Sequence, residues 1–178
     1  MEKELDVEKY INVLNEHAKK LLVRDGFLQS VAFFIKDDQV ECPEKIVHKD
    51  DEEKFNHYYQ IGKKLQEYDY VIVLQDIAYR SFDNKDAAKE VIENYMTESP
   101  LTYPESMRMD GILYMALANT GDGIGMRMYC QSYRKDKDKY QFDDLKDWSG
   151  ACESLSGNLL EAVQSGYNDH EEKEPWMQ

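Results

Sequence analysis

Apolar residues recur at helical spacing through the first stretch of the chain. Val7, Tyr10, Ile11, Leu14, Ala18, Leu21 and Leu22 share one stripe, while Glu8, Lys9, Asn12, Glu16, Lys19 and Lys20 fall elsewhere. The pattern predicts an amphipathic helix over 6–25. Asp6 is its expected N-cap, and Arg24-Asp25-Gly26 its stop, with Gly26 free to turn left-handed. The apolar run over 28–36 predicts a buried strand. Lys36-Asp37-Asp38-Gln39 supplies turn chemistry, and 39–47 is expected to return antiparallel, with Pro43 marking an edge or a bulge. A second helix is expected over 51–68, capped by Asp50 or Asp51. Acids in its first turn suit the positive end of the helix dipole, and Phe55, Tyr58, Tyr59, Leu65 and Tyr68 offer a buried face.

Residues 70–82 form the clearest strand pattern. Val71, Val73, Gln75, Ile77 and Tyr79 alternate with Ile72, Leu74, Asp76, Ala78 and Arg80. A shorter helix is expected over 86–96, ended by the proline-bearing loop 99–104. Two long β-like runs, 107–118 and 124–134, flank Asn119-Thr120-Gly121-Asp122-Gly123, the chemistry of a hairpin turn. Residues 142–163 read as a terminal helix weakened by Gly150 and Gly157. The order implies an α+β fold: an antiparallel sheet of about five strands, with helices packed mainly on one face. A single domain is expected over 1–166, followed by a mobile acidic tail over 167–178.

The helix stop Arg24-Asp25-Gly26, the strand Leu28-Gln29-Ser30-Val31-Ala32-Phe33-Phe34-Ile35 and the segment Pro104-Glu105-Ser106-Met107-Arg108-Met109-Asp110 together carry a resemblance. Over residues 6–135 the chain resembles small bacterial and phage α+β proteins of unassigned activity. The resemblance implies the order of elements and transfers no chemistry.

Length and charge narrow the classes. At 178 residues one core of ordinary size is expected. No apolar run approaches the roughly 20 residues that cross a bilayer, and the acidic first residues do not resemble an export signal. Cys42, Cys130 and Cys152 are odd in number and far apart, which points to reduced thiols and a cytoplasmic location. Net charge is −14, from 22 basic and 36 acidic residues, which disfavours direct binding of DNA or RNA. Residues 136–178 hold eleven acids against four bases, so the excess concentrates at the C-terminal end.

Candidate chemistry is sparse. His17, His48, His57 and His170 show no ligand spacing, so no metal is expected, and no cofactor motif is present. The glycines of 121–125 lie between two strands, where a dinucleotide fingerprint requires a strand and a helix. No nucleophile motif stands out. A carboxylate among Ile72, Leu74 and Ala78 requires a partner if buried, and alternation allows Arg108 to reach Asp76 from a neighbouring strand, beside Asp110. Asp76, Arg108 and Asp110 are therefore the candidates for a site, or for a structural ion pair. Tyr114, Met126, Met128 and Tyr129 on the hairpin, with Asp143 and Asp144 beyond it, are the candidates for contact with a protein partner. The leading expectation is a non-enzymatic acidic adaptor, regulator or inhibitor with a protein partner, of which a basic partner and a nucleic-acid-handling enzyme are special cases. The alternatives are a small ligand-binding or hydrolytic domain using the Asp/Arg site, and a structural homodimer.

Overall fold

Helix α1 spans Glu8–Asp25 in this computed structural model, which describes residues 6–79 and 109–169, the side chains of 151–158 excepted. Ile11, Asn15, Ala18 and Leu22 are its buried stripe. Asp6 does not cap it. The N-cap is Val7, fully buried and without a side-chain cap bond, so packing rather than a polar cap fixes this end. Gly26 takes the expected left-handed conformation at φ 77°, its N–H bonding the Leu22 carbonyl at 2.8 Å.

Strand β1 (Val31–Lys36) turns tightly through Asp37 and Asp38, both at positive φ, a geometry that short acidic side chains tolerate. The return strand is broken. β2 (Gln39–Val40) and β3 (Glu44–Lys45) pair β1 as two short pieces on either side of Pro43. Helix α2 (Asp51–Leu65) begins as expected: the Asp50 carboxylate accepts from the Glu53 N–H at 2.8 Å. Tyr58, Ile61 and Leu65 are buried along it, but Phe55 is 41% exposed and lies outside the buried face.

β4 (Tyr70–Tyr79), β5 (Met109–Asn119), β6 (Ile124–Asp136) and β7 (Lys139–Asp147) follow, then a 3-10 turn at Ser149–Ala151 and helix α3 (Cys152–Asn168). The hairpin link has the expected chemistry, with Gly121 at φ 84° and the Asn119 side chain accepting from its N–H. The helix expected from residue 142 begins ten residues later, at Cys152. In its place β7 pairs β6 after a turn with Lys137 at φ 55°. A bulge explains the misreading. Gln131 pairs Leu145 while Tyr133 pairs Phe142, so Phe142 and Leu145, three apart, reach the same face and mimic helical spacing.

Among the described residues the sheet is antiparallel and has seven strands in the order β2-β1-β4-β5-β6-β7, with β3 beside β1. The strands beyond the expected five come from the broken return and from β7. One face, with Phe34, Val71, Val73, Met115, Leu117 and Met128, packs under α2 and α3. The other, with Ile72, Leu74, Ile112, Tyr114, Ala116 and Tyr129, packs under α1. Two of the three described helices thus share a face and the third lies opposite. The expected helix over 86–96, the loop 99–104 and Arg80 lie outside the described residues. The body extends past residue 166, since the Tyr167 hydroxyl bonds Asn119 at 2.8 Å and its carbonyl accepts from Gln66. Residues 170–178 lie outside the described residues. Among the described residues no helix is long and apolar enough to cross a membrane.

α2 and α3 cross backbone against backbone. A Cβ at Gly62 would overlap the Val163 carbonyl, and one at Gly166 the Tyr59 carbonyl. Gly62→Ala and Gly166→Ala should each force the helices apart and cost about 1–3 kcal/mol in urea unfolding. Gly150→Ala, where an added methyl meets open space, should cost less than about 0.5 kcal/mol. Equal effects at all three positions would refute the close crossing.

Candidate functional site

On the α1 face, β4 and β5 bring two of the three candidate site residues together. Asp110 pairs Ala78 on β4 and Tyr133 on β6, and Asp76 pairs Ile112. The Tyr133 hydroxyl donates to Asp76 at 2.8 Å. Burial, then the Asp76 hydrogen bond and the charges of Asp76 and Asp110, raise the Tyr133 hydroxyl well above its usual range. It is therefore a fixed proton donor to a carboxylate at neutral pH, and no base. Asp76 is exposed and Asp110 half-buried, so neither is the deeply buried charge that a lone strand interior suggested. Arg108 lies outside the described residues. The sequence reading missed Tyr133, although its signal was present: the hairpin register alone places it opposite Asp110.

The opposite face holds a second polar group. Tyr79 and Ser132 share a hydrogen bond, and Trp148 stands edge-on to Tyr79 at 5.0 Å. Gly111 is required here because a Cβ would come within 2.9 Å of the Cys130 sulfur. Burial pushes the Cys130 thiol up to about 12, so it is protonated and unreactive at neutral pH. Among the described residues no group of three or more His, Cys, Asp or Glu could hold a metal ion.

The hairpin residues are core rather than surface. Tyr114 is fully buried, Met128 is 1% exposed beneath α2 and α3, and Tyr129 is 5% exposed beneath α1. Only Met126 among them reaches the half-buried layer. Packing on both faces of β5 and β6 removes Tyr114, Met128 and Tyr129 from a docking partner.

Asp143 and Asp144 behave differently. Both are exposed, on the last strand of the sheet, and they form the bulge of β7 opposite Ser132. The bulge is held from inside. The amide of Gln131, 2% exposed, donates to the Asp143 carbonyl. Its Oε1 accepts from Asn15 on α1 at 2.9 Å, and Asn15 Oδ1 accepts from the Tyr114 hydroxyl at 2.9 Å. A buried polar chain therefore runs from β5 through the helix to the edge bulge, with every member satisfied, which fixes the local geometry. Two adjacent carboxylates stand outward on this support and are suited to cationic side chains.

No protein-family model, curated protein or solved structure matches this chain.

Asn15→Ala strands the Tyr114 hydroxyl and Gln131 Oε1 in the core. Each orphaned group costs about 1–3 kcal/mol, so unfolding should shift by at least 2 kcal/mol. Amide exchange at residues 143–145 should quicken in the same variant, and an unchanged rate there would detach the bulge from the relay. Alkaline pH offers a second test. Burial raises Tyr58 from 10.0 and Cys130 from 9.0, each to about 12. Both are neutral in either state below about pH 9, so their contribution is complete there. The unfolded chain ionises first above it, and stability should fall between pH 9 and pH 12. Tyr58→Phe should flatten the part of that fall above pH 10, as read from urea midpoints against pH.

Proposed function

We propose that this protein is a non-enzymatic interaction protein, an acidic adaptor, regulator or inhibitor that docks a basic protein partner at the β7 edge. The observation that carries the reading is the pair of exposed carboxylates, Asp143 and Asp144, at a bulge pinned from the core. A net charge of −14 supports it by speeding encounter with a cationic surface and repelling nucleic acid itself. Enzymes that handle nucleic acid present such cationic surfaces, so they are natural partners. A cytoplasmic location, with reduced thiols, belongs to the same proposal. A homodimer through this edge is disfavoured: self-pairing would bring like charges together on a strand that also carries Lys139, Lys146 and a bulge. A second reading, a small ligand-binding site at Asp76, Asp110 and Tyr133, is favoured by the bond that orients Tyr133 on Asp76. Arg108 remains its proposed third member.

Capture from a native lysate at about 50 and about 300 mM salt tests the leading reading. The wild-type chain should retain one protein rich in Lys and Arg at near-equal stoichiometry. Asp143→Lys/Asp144→Lys should reduce its capture about tenfold at the lower salt. A partner held equally by the double variant, or none at either salt, would refute docking at this edge. Sedimentation of the purified chain should show a monomer.

A further inference from the structure

A groove of about 770 Å³ opens between α1 and the outer part of the sheet. Its body is apolar, with Leu14 and Leu21 of α1 facing Leu28, Val31 and Phe33. All five are only half-buried, so the groove has accessible apolar walls. Its size falls within the roughly 300–1,000 Å³ of small-molecule sites, which are mostly apolar with a few polar groups that fix orientation.

The rim has a charge opposite to that of the molecule. α1 carries four cations, and three of them are spoken for: Lys9 pairs Asp38 at 2.8 Å, Lys19 pairs Glu16 at 2.5 Å, and Arg24 pairs Asp25 at 2.7 Å. Lys20 has no ion pair among the described residues, and it lines the groove together with exposed His17 three residues earlier. Among the described residues the rim holds one acid, Glu16, which is already engaged by Lys19. A basic helix would meet repulsion here, and a neutral hydrocarbon would gain nothing from the lysine. An apolar chain ending in one negative charge matches both the walls and the rim.

We infer that this groove binds a single free fatty acid, with its hydrocarbon chain along Leu14, Leu21, Leu28, Val31 and Phe33 and its carboxylate on Lys20. A concave slot encloses one chain, whereas a bilayer requires a protruding apolar surface, and an anionic bilayer is repelled by the overall charge. The site goes beyond the docking role proposed above. It lies at the β1 side of the sheet, whereas the acidic bulge lies on β7 at the other end of the strand order.

Calorimetric titration of the full chain with decanoate and dodecanoate, each below its micellar concentration, tests the assignment. Saturable binding of one molecule per chain is expected, with dodecanoate about tenfold tighter than decanoate because two more methylenes are buried. Lys20→Gln, a change at an exposed position, should weaken dodecanoate about tenfold and leave the urea midpoint unchanged. Dodecyltrimethylammonium, with the same chain and the opposite charge, should bind at least tenfold more weakly than dodecanoate. Equal affinity for the two head charges, no effect of Lys20→Gln, several molecules per chain without saturation, or binding only to phosphatidylglycerol vesicles would each overturn the proposal. Loss of partner capture in Asp143→Lys/Asp144→Lys leaves dodecanoate binding intact, so the two proposals fail separately.

Discussion

The central strands must be dry on both sides, and the placement of the other elements follows from that. Val71, Ile72, Val73 and Leu74 are all buried although they alternate in direction, and Ala116, Leu117 and Ala118 repeat the pattern on β5. A sheet with one wet face would alternate apolar with polar. Two covering layers are therefore required. α2 and α3 supply one, drawn close by the glycines at their crossing. Among the described residues α1 supplies the other. A helix is about 10–12 Å across with its side chains, while six strands abreast span about 24 Å between the outermost axes. Among the described residues one helix therefore leaves two flanks of its face without helical cover. Tyr133, Tyr140 and Phe142 fill the flank toward β7, with Tyr140 and Phe142 stacked at 6.2 Å. The flank toward β1 carries the Tyr10–Tyr70 pair, with ring centroids 6.2 Å apart, and Phe33, and the groove lies along Phe33.

The same helix also reaches inward with a polar side chain. Asn15 replaces an apolar residue in the buried stripe and bridges Tyr114 to Gln131. A polar group in a core is tolerated when its bonds are complete, and it then favours one arrangement over near alternatives. Here the arrangement includes the β7 register shift, because Gln131 bonds the bulge carbonyl. The position of the outward carboxylates is thus set from the interior.

Much of this was legible in the sequence where local chemistry and packing agree. The Asp50 cap, the Gly26 stop, the Asn119–Gly123 hairpin link and the class of fold all rest on short-range signals. The failures have specific causes. β7 was hidden because its bulge gives Phe142 and Leu145 a helical interval. The split return strand was hidden because Pro43 signals an interruption without giving the lengths on either side. Tyr114, Met128 and Tyr129 resemble an adaptable surface in composition, and only a second helical layer shows that they are core. Asp76 and Asp110 were legible as neighbours from parity, while Tyr133 required the register of a third strand. The groove was not legible at all. It depends on how far one helix reaches across the sheet, which no residue pattern records.

Net charge alone misdescribes this surface. Spread evenly, a charge of −14 would oppose an anion anywhere on the molecule. The distribution is uneven at the scale that matters, since exposed charges beyond about 8 Å are largely screened at physiological salt. On α1 the local balance is set by which pairs are closed. Lys19 cancels Glu16 and Arg24 cancels Asp25, so Lys20 is the charge left beside the groove. On β7 the two carboxylates at the bulge are adjacent and outward, so a partner meets them as a doubly negative point. The strand order puts these features toward opposite ends of one sheet. A chain this acidic can therefore present a cation-seeking edge and an anion-seeking groove without either cancelling the other.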